Sequence, residues 1–134
     1  MSTHAVVWID RKEARIFHVR PDAVQPESVL SPQHQLHRHP KGHTAVHKHP
    51  DDEKHFFAGV AQALHGTGAI LIVGPASAKL ELLRYLQQRE HSLAAAVVGV
   101  ESADHPTDGQ IVAHARHYFK ASDALGLPAE RQAI

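Results

Sequence analysis

The residues best suited to chemistry lie close together between positions 31 and 50, a stretch that we call the histidine-rich loop. A long loop in a compact domain is usually functional or disordered. This one contains no acid between Gln33 and Pro50. Imidazoles bind metals and exchange protons near neutral pH, and permanent cations contact phosphate. The loop's histidines and permanent cations are His34, His37, Arg38, His39, Lys41, His43, His47, Lys48 and His49.

Two pairs of histidines in this loop have the spacing of a chelate. His37 and His39 are separated by one residue, as are His47 and His49. In an extended backbone, residues two apart share a side, so each pair could hold one ion. A further histidine of the loop would complete a zinc, nickel or copper site. Most recognisable structural zinc sites contain cysteine, however, so a polar loop with adventitious metal affinity is the alternative interpretation.

The same loop is also a candidate RNA-binding segment. Arg38, Lys41, His43 and Lys48 form a positive stretch that predicts contact with phosphates. A solvated loop, or one that forms a homo-oligomer, is the third interpretation. All three remain open at this point.

Composition is typical of a small globular protein. The chain has 134 residues, which suits one domain, with 43% hydrophobic and 21% charged residues. Lys+Arg and Asp+Glu are equal at 14 each, so the net charge favours no class of partner. The 14 histidines would make the chain cationic in mild acid. The absence of cysteine excludes disulfides, thiolate catalysis and cysteine-based zinc sites.

Targeting features are absent from the sequence. Residues 1–8 lack the basic start and apolar run of a signal peptide. No apolar run approaches the roughly 20 residues of a membrane helix. We therefore expect a cytoplasmic protein.

Hydrophobic patterning predicts strands and then alternating helices and strands. Apolar runs predict strands at 5–9, 14–19, 69–73 and within 93–100, with a weak strand at 27–30 after a connection from Pro21 to Pro26. Apolar spacings of three and four predict a helix from an Asp51 N-cap to Gly66 and another after Gly74. A last helix begins at Thr107, where Gln110 completes a capping box.

This order of elements defines the expected architecture. It predicts an α/β fold with a mixed five-stranded sheet, a three-strand meander plus parallel strands, and helices on both faces. We expect a single domain at residues 1–121 that carries the histidine-rich loop, and a C-terminal tail at 122–134.

Two turns carry groups that could bind ligands. Residues 74–79 join a strand to a helix beside Lys79, so they are a candidate phosphate site, with a plain turn as the alternative. Residues 104–110 are explained mostly by helix capping, which leaves Asp104 and His105 free to pair with the histidine-rich loop.

Two enzyme classes have little support. Metal-dependent nucleases need several acids on neighbouring strands, and only Asp10 lies at the end of a predicted strand. Ser77 and His18 lack the spacing of a hydrolase pair, and no Gly-x-Ser-x-Gly motif is present.

Three segments together carry a family resemblance. They are Val6 to Phe17, Ala69 to Leu82 with its Ile-Leu-Ile-Val-Gly-Pro run, and Asp104 to Arg116. In order and spacing they resemble the middle domain of archaeo-eukaryotic class-I peptide-release factors and Pelota-type rescue factors, and small bacterial translational machinery proteins. The resemblance covers roughly residues 4–120 and implies a ribonuclease-H-like fold.

The resemblance also implies what the histidine-rich loop would do. In release factors the equivalent loop carries Gly-Gly-Gln, which promotes peptidyl-tRNA hydrolysis, whereas Gly42 is the only glycine here. We therefore expect a non-enzymatic protein that binds ribosome or tRNA through Arg38, Lys41, His43 and Lys48, with Lys79 as a further contact. The alternatives are zinc or nickel binding, and peptidyl-tRNA hydrolysis or ribosome rescue.

The metal hypothesis makes one direct prediction. Replacing His37, His39, His47 and His49 with alanine abolishes zinc or nickel binding, because both chelating pairs are lost. Native mass spectrometry of untagged protein with added metal measures the stoichiometry. A variant that still holds one equivalent would place the site elsewhere.

Overall fold

The structure is a computed structural model that describes residues 3–31 and 50–124. Five strands form one mixed sheet in the order β3-β2-β1-β4-β5. The strands are β1 His4–Ile9, β2 Glu13–Arg20, β3 Ala23–Leu30, β4 Ala69–Gly74 and β5 Val97–Ser102. The helices are α1 Pro50–Leu64, α2 Ala78–Arg89, α3 His91–Ala96 and α4 Asp108–Ala124.

The sheet combines a meander with parallel strands, as the sequence predicted. Strand β1 pairs antiparallel with β2, and β2 pairs antiparallel with β3. On its other side β1 pairs parallel with β4, which pairs parallel with β5. The parallel strands β1, β4 and β5 therefore all begin at one end of the sheet, the amino end, and all finish at the other, the carboxyl end.

Helices cover both faces of the sheet, which confirms the predicted α/β class. Alternate residues of β1 point to opposite faces because side chains alternate along a strand. Val7 and Ile9 pack in the core beneath α1, α2 and α3, whereas Val6 and Trp8 pack in the core beneath α4. All four are fully buried, so β1 contributes to both cores.

Two predicted helix boundaries have clear physical signals. The capping box at the start of α4 is present: the Gln110 amide donates to Thr107 Oγ1 at 3.1 Å, and the Thr107 amide donates to Gln110 Oε1 at 2.9 Å. Gly66 follows α1 with a φ of 85°, a conformation that favours glycine after a helix. Helix α1 begins at Pro50, however, so Asp51 lies inside the first turn rather than at the N-cap.

Strand β3 is longer than predicted. The segment from Pro21 to Pro26 was expected to be a connection, but only a turn at 21–22 separates β2 from β3. Pro26 lies within β3, opposite Phe17. Proline cannot donate to a sheet, but an outer strand such as β3 tolerates it.

The segment at 93–100 was also predicted imperfectly. Residues 91–96 form the short helix α3, and the strand begins only at Val97. Three consecutive alanines, Ala94 to Ala96, explain this result because alanine is the strongest helix former. Strand β5 is only partly buried, as befits an outer strand, whereas β4 is buried throughout.

The last helix is longer than the sequence predicted. Helix α4 extends to Ala124, three residues into the segment expected to be a tail. No helix in the described ranges combines the length and apolar character of a membrane span.

Close packing at Gly74 generates a stability prediction. A Cβ at this position would collide with the backbone carbonyl oxygen of Ile9. We expect Gly74→Ala to lower the free energy of unfolding by about 1–3 kcal/mol, because two paired strands would have to separate. Urea denaturation measures the change.

Gly109→Ala is the matched control. A Cβ there meets only Thr107 Oγ1 at 4.0 Å, and residue 109 lies in α4. Alanine is a better helix former than glycine, so the free energy of unfolding of this variant should be unchanged or higher by up to about 1 kcal/mol. Equal stability of the two variants would contradict the packing argument.

Candidate functional site

Both roots of the histidine-rich loop lie at the carboxyl end of the sheet. Ser31, where the described chain stops, donates its amide to the Lys12 carbonyl at 2.9 Å. In the first turn of α1, where it resumes, Glu53 lies 3.8 Å from the Arg11 guanidinium. Arg11 and Lys12 belong to the turn between β1 and β2. The loop therefore leaves and rejoins the fold beside this turn.

Arg11 ties that turn to the start of α2. Its guanidinium contacts Glu81 Oε2 at 3.0 Å and donates to Ser77 Oγ at 3.0 Å. Ser77 also contacts Glu81 at 3.3 Å. These exposed contacts involve an arginine that the sequence did not single out. An acid in the first turn of α2 also means that the helix dipole already has a negative partner.

Lys79, a predicted RNA contact, has a limited reach in this conformation. It is only 9% exposed, and its amino group donates to the Ala76 carbonyl at 2.5 Å within the same turn. A phosphate at residues 74–79 would have to replace that bond. Its role stays a prediction, and the local geometry matches the plain-turn interpretation.

Trp8 and Arg15 hold the connection between β5 and α4. The Trp8 indole N–H donates to the Asp104 carbonyl at 3.1 Å, and the ring is fully buried. The Arg15 guanidinium lies 4.4 Å from the Trp8 ring centre and contacts Asp108 at 2.6 Å. A guanidinium over an indole is a favourable cation–π arrangement. Together these contacts fix residues 103–108 against the sheet.

Asp104 and His105 therefore have a fixed backbone and exposed side chains. The His105 ring lies 5.3 Å from the Trp8 ring and 3.2 Å from Asp104 Oδ1. Its other nitrogen is 4.0 Å from Asp10 Oδ2. The second Asp10 oxygen accepts the amides of Lys12 and Glu13, so Asp10 shapes the turn. Pairing of Asp104 or His105 with the histidine-rich loop stays a prediction.

The described charges at the carboxyl end are mostly acidic. The acids there are Asp10, Glu13, Glu53, Glu81, Glu101, Asp104 and Asp108, and the cations are Arg11, Lys12, Arg15, Lys54 and the largely buried Lys79. Arg11 and Arg15 are already paired with carboxylates. Lys12 and Lys54 are exposed and have no ion-pair partner among the described residues, so attraction of phosphate to this end would depend on them and on cations of the histidine-rich loop.

Other predicted site residues lie apart from one another or outside the described part of the chain. Ser77 contacts Arg11, whereas His18 pairs with Glu27 at 3.2 Å, so the two form no hydrolase pair. Among residues 3–31 and 50–124, no group of three or more potential ligands could hold a metal. Eight predicted site residues fall outside the described ranges: His37, Arg38, His39, Lys41, His43, His47, Lys48 and His49.

A carboxylate–imidazole pair lines a separate cavity beside α4. Glu101 Oε1 lies 2.6 Å from His114 Nε2, and both border a cavity of about 260 Å³. On the next turn of α4, the Tyr118 hydroxyl donates to the Val98 carbonyl at 3.0 Å. Burial, with a smaller effect from the Glu101 charge, raises the pKa of Tyr118 above 10. This cluster buttresses β5 against α4.

Known proteins share this fold. The chain is similar to Pelota from Thermoplasma acidophilum (22% identity, TM-score 0.59), covering 98% of this chain and 36% of that one. It is also similar to the archaeal translation termination factor aRF1 (14%, 0.54), covering 92% and 41%. For Saccharomyces cerevisiae Dom34, a translation termination-like factor, the values are 10% and 0.51, covering 94% and 40%.

These likenesses confirm, at the level of fold, the resemblance inferred from the sequence. The chain spans about two fifths of the length of the solved structures that it matches. Comparison of the sequence with protein-family models finds no match, and comparison with curated proteins finds none either. The class is thus an α/β domain with the Pelota and release-factor fold.

Tyr118 generates a prediction on alkaline stability. Its raised pKa means that the folded state favours the neutral phenol, so its contribution is complete below pH 10. That contribution is lost as the pH rises through the raised value, because the unfolded state loses its proton first. We expect Tyr118→Phe to flatten the fall in the free energy of unfolding above pH 10.

At neutral pH, the free energy of unfolding of the same variant should be lower by about 1 kcal/mol, because the hydrogen bond to Val98 is lost. Tyr85→Phe, which keeps Tyr118, is the control. Urea titrations between pH 7 and 11 provide the measurement. If the free energy of unfolding falls equally steeply with pH in both variants, Tyr118 is not the source of the fall.

Proposed function

We propose that this chain is a non-enzymatic, translation-associated protein that binds the ribosome or tRNA through its histidine-rich loop. The observation that supports this most is the shared fold, which extends over nearly all of this chain in Pelota and aRF1. Dom34, a further neighbour, is described as involved in RNA quality control pathways and as interacting with Hbs1. Translation termination is the element that aRF1 and Dom34 share, and from it we propose a ribosome-associated role in the cytoplasm for this chain.

The proposed contact is electrostatic. The loop joins the fold at a carboxyl end whose described charges are mostly acidic, so its own Arg38, Lys41, His43 and Lys48 would supply most of the attraction to phosphates. Neutralising phosphates releases counterions, which makes such binding steeply dependent on salt. Histidine protonation would add positive charge in mild acid.

Peptidyl-tRNA hydrolysis has weaker support. The loop lacks Gly-Gly-Gln, the tripeptide that the resemblance associates with that activity. Metal binding and homo-oligomer formation through the loop stay predictions, and no contact among the described residues favours either. A direct hydrolysis assay would test the enzymatic alternative.

The proposal predicts loss of ribosome or tRNA binding when loop charge is reversed. We expect Lys41→Glu with Lys48→Glu to weaken co-sedimentation at least tenfold at low salt, because attractive contacts become repulsive. Binding by the unaltered protein should fall steeply as salt is raised.

The control carries an equal change of charge on another element. Arg84→Glu with Arg89→Glu alters two exposed arginines of α2, on the sheet face opposite α4. This variant should bind within about twofold of the unaltered protein. Unchanged binding of the loop variant, or binding insensitive to salt, would refute the proposal.

A further inference from the structure

The amino end of the sheet carries a basic groove whose lining residues are far apart in sequence. The groove lies between the end of β2 and the last turns of α4, and its volume is about 560 Å³. Arg20, Arg116 and Lys120 supply permanent positive charge, and His4 and His117 add charge when protonated. None of the described residues that line it is acidic. We call it the amino-end groove.

Its walls are held by contacts that leave charge facing outward. Arg116 donates to the backbone carbonyls of Arg20 and Pro21 at 2.9 and 3.2 Å, which fixes α4 against the turn after β2. The His4 ring stacks on Phe119, with centroids 4.3 Å apart. Since both contacts involve only backbone oxygens or an aromatic face, no carboxylate neutralises these groups within the described residues.

Arg20 and Lys120 are the free cations of the groove. Both are exposed, and no described side chain forms an ion pair with either. At the carboxyl end, by contrast, Arg11 and Arg15 already contact carboxylates. An incoming anion would therefore displace no ion-pair partner of Arg20 or Lys120 among the described residues.

The helix dipole opposes anion binding here only weakly. The carboxyl end of a helix is partially negative and disfavours an anion, but the effect falls off within the last turn. Helix α4 ends at Ala124, about one turn beyond Lys120. Lys120 lies before that turn, Arg20 lies on β2, and each carries a full charge.

We propose that the amino-end groove binds the phosphodiester backbone of RNA. A concave surface with several cations and no acid is the electrostatic arrangement that attracts consecutive phosphates. The choice of RNA over a free polyphosphate rests on the proposed translation-associated function, whereas the anion site itself rests on the groove alone. The groove lies at the end of the sheet opposite to the roots of the histidine-rich loop.

Charge reversal in the groove provides the test. The probe is a fluorescein-labelled oligouridine of twelve nucleotides, measured by fluorescence anisotropy. We expect Arg20→Glu with Lys120→Glu to weaken binding at least tenfold. The slope of log affinity against log salt should also become shallower by about 1.4, since each contact with single-stranded RNA contributes about 0.7.

Two matched variants separate this proposal from others. Arg84→Glu with Arg89→Glu carries the same charge change on α2 and should stay within about twofold. An equal loss of oligouridine affinity in that variant would show a general effect of charge and would overturn the proposal for the groove. Lys41→Glu with Lys48→Glu tests the loop instead. If this variant loses ribosome binding but keeps its affinity for oligouridine, the result supports two separate sites.

A competition arm distinguishes the source of the phosphate. Inorganic tripolyphosphate should displace oligouridine only at concentrations at least 100-fold above the RNA dissociation constant, because it offers fewer phosphates. Displacement at equal concentration would assign the groove to a small polyphosphate and overturn the RNA proposal. Circular dichroism confirms that each variant is folded, and full oligouridine affinity in a folded Arg20→Glu with Lys120→Glu protein would also overturn it.

Discussion

The pairing of β1 with a strand on each side is the interaction on which the other features depend. Strand β1 pairs antiparallel with β2 and parallel with β4, and its residues from Ala5 to Ile9 are fully buried. Trp8 extends this role, because its indole N–H holds the Asp104 backbone, and through it the start of α4. Shifting β1 by one residue would exchange the two cores, since alternate side chains face opposite sides. Both ends of the sheet are thus positioned by one strand.

The sequence predicted those elements whose signals lie in a short stretch of residues, and it missed features that depend on the tertiary structure. The apolar run at 69–73 and the capping box at Thr107 and Gln110 are local patterns, and both are confirmed. The extent of β3 was missed because Pro26 is a strand breaker unless the strand is at the sheet's outer edge, which only the tertiary structure reveals. The helix at 91–96 was missed because an alanine run beside valines is ambiguous between helix and strand.

The charged sites were harder to predict because their members are far apart in sequence. Arg15 and Phe17 are two residues apart on β2, so their side chains lie on the same face of the sheet, the face covered by α4. This alternation is visible in the sequence and could have predicted the position of Arg15. Arg116 and Lys120 are four residues apart on α4, which indicates a shared helix face. Their proximity to Arg20 depends on the packing of α4 on β2, and no local pattern encodes it.

The distance between the two ends of the sheet decides whether they act separately. Strands β1 and β4 each have six residues. At about 3.3 Å per residue, this places the ends about 20 Å apart. The Debye length at physiological salt is only about 8 Å, so the acids at the carboxyl end reduce the positive potential at the amino-end groove only slightly. The roots of the histidine-rich loop and the amino-end groove therefore lie at opposite ends of the sheet, and the charges at one end have little effect on the field at the other.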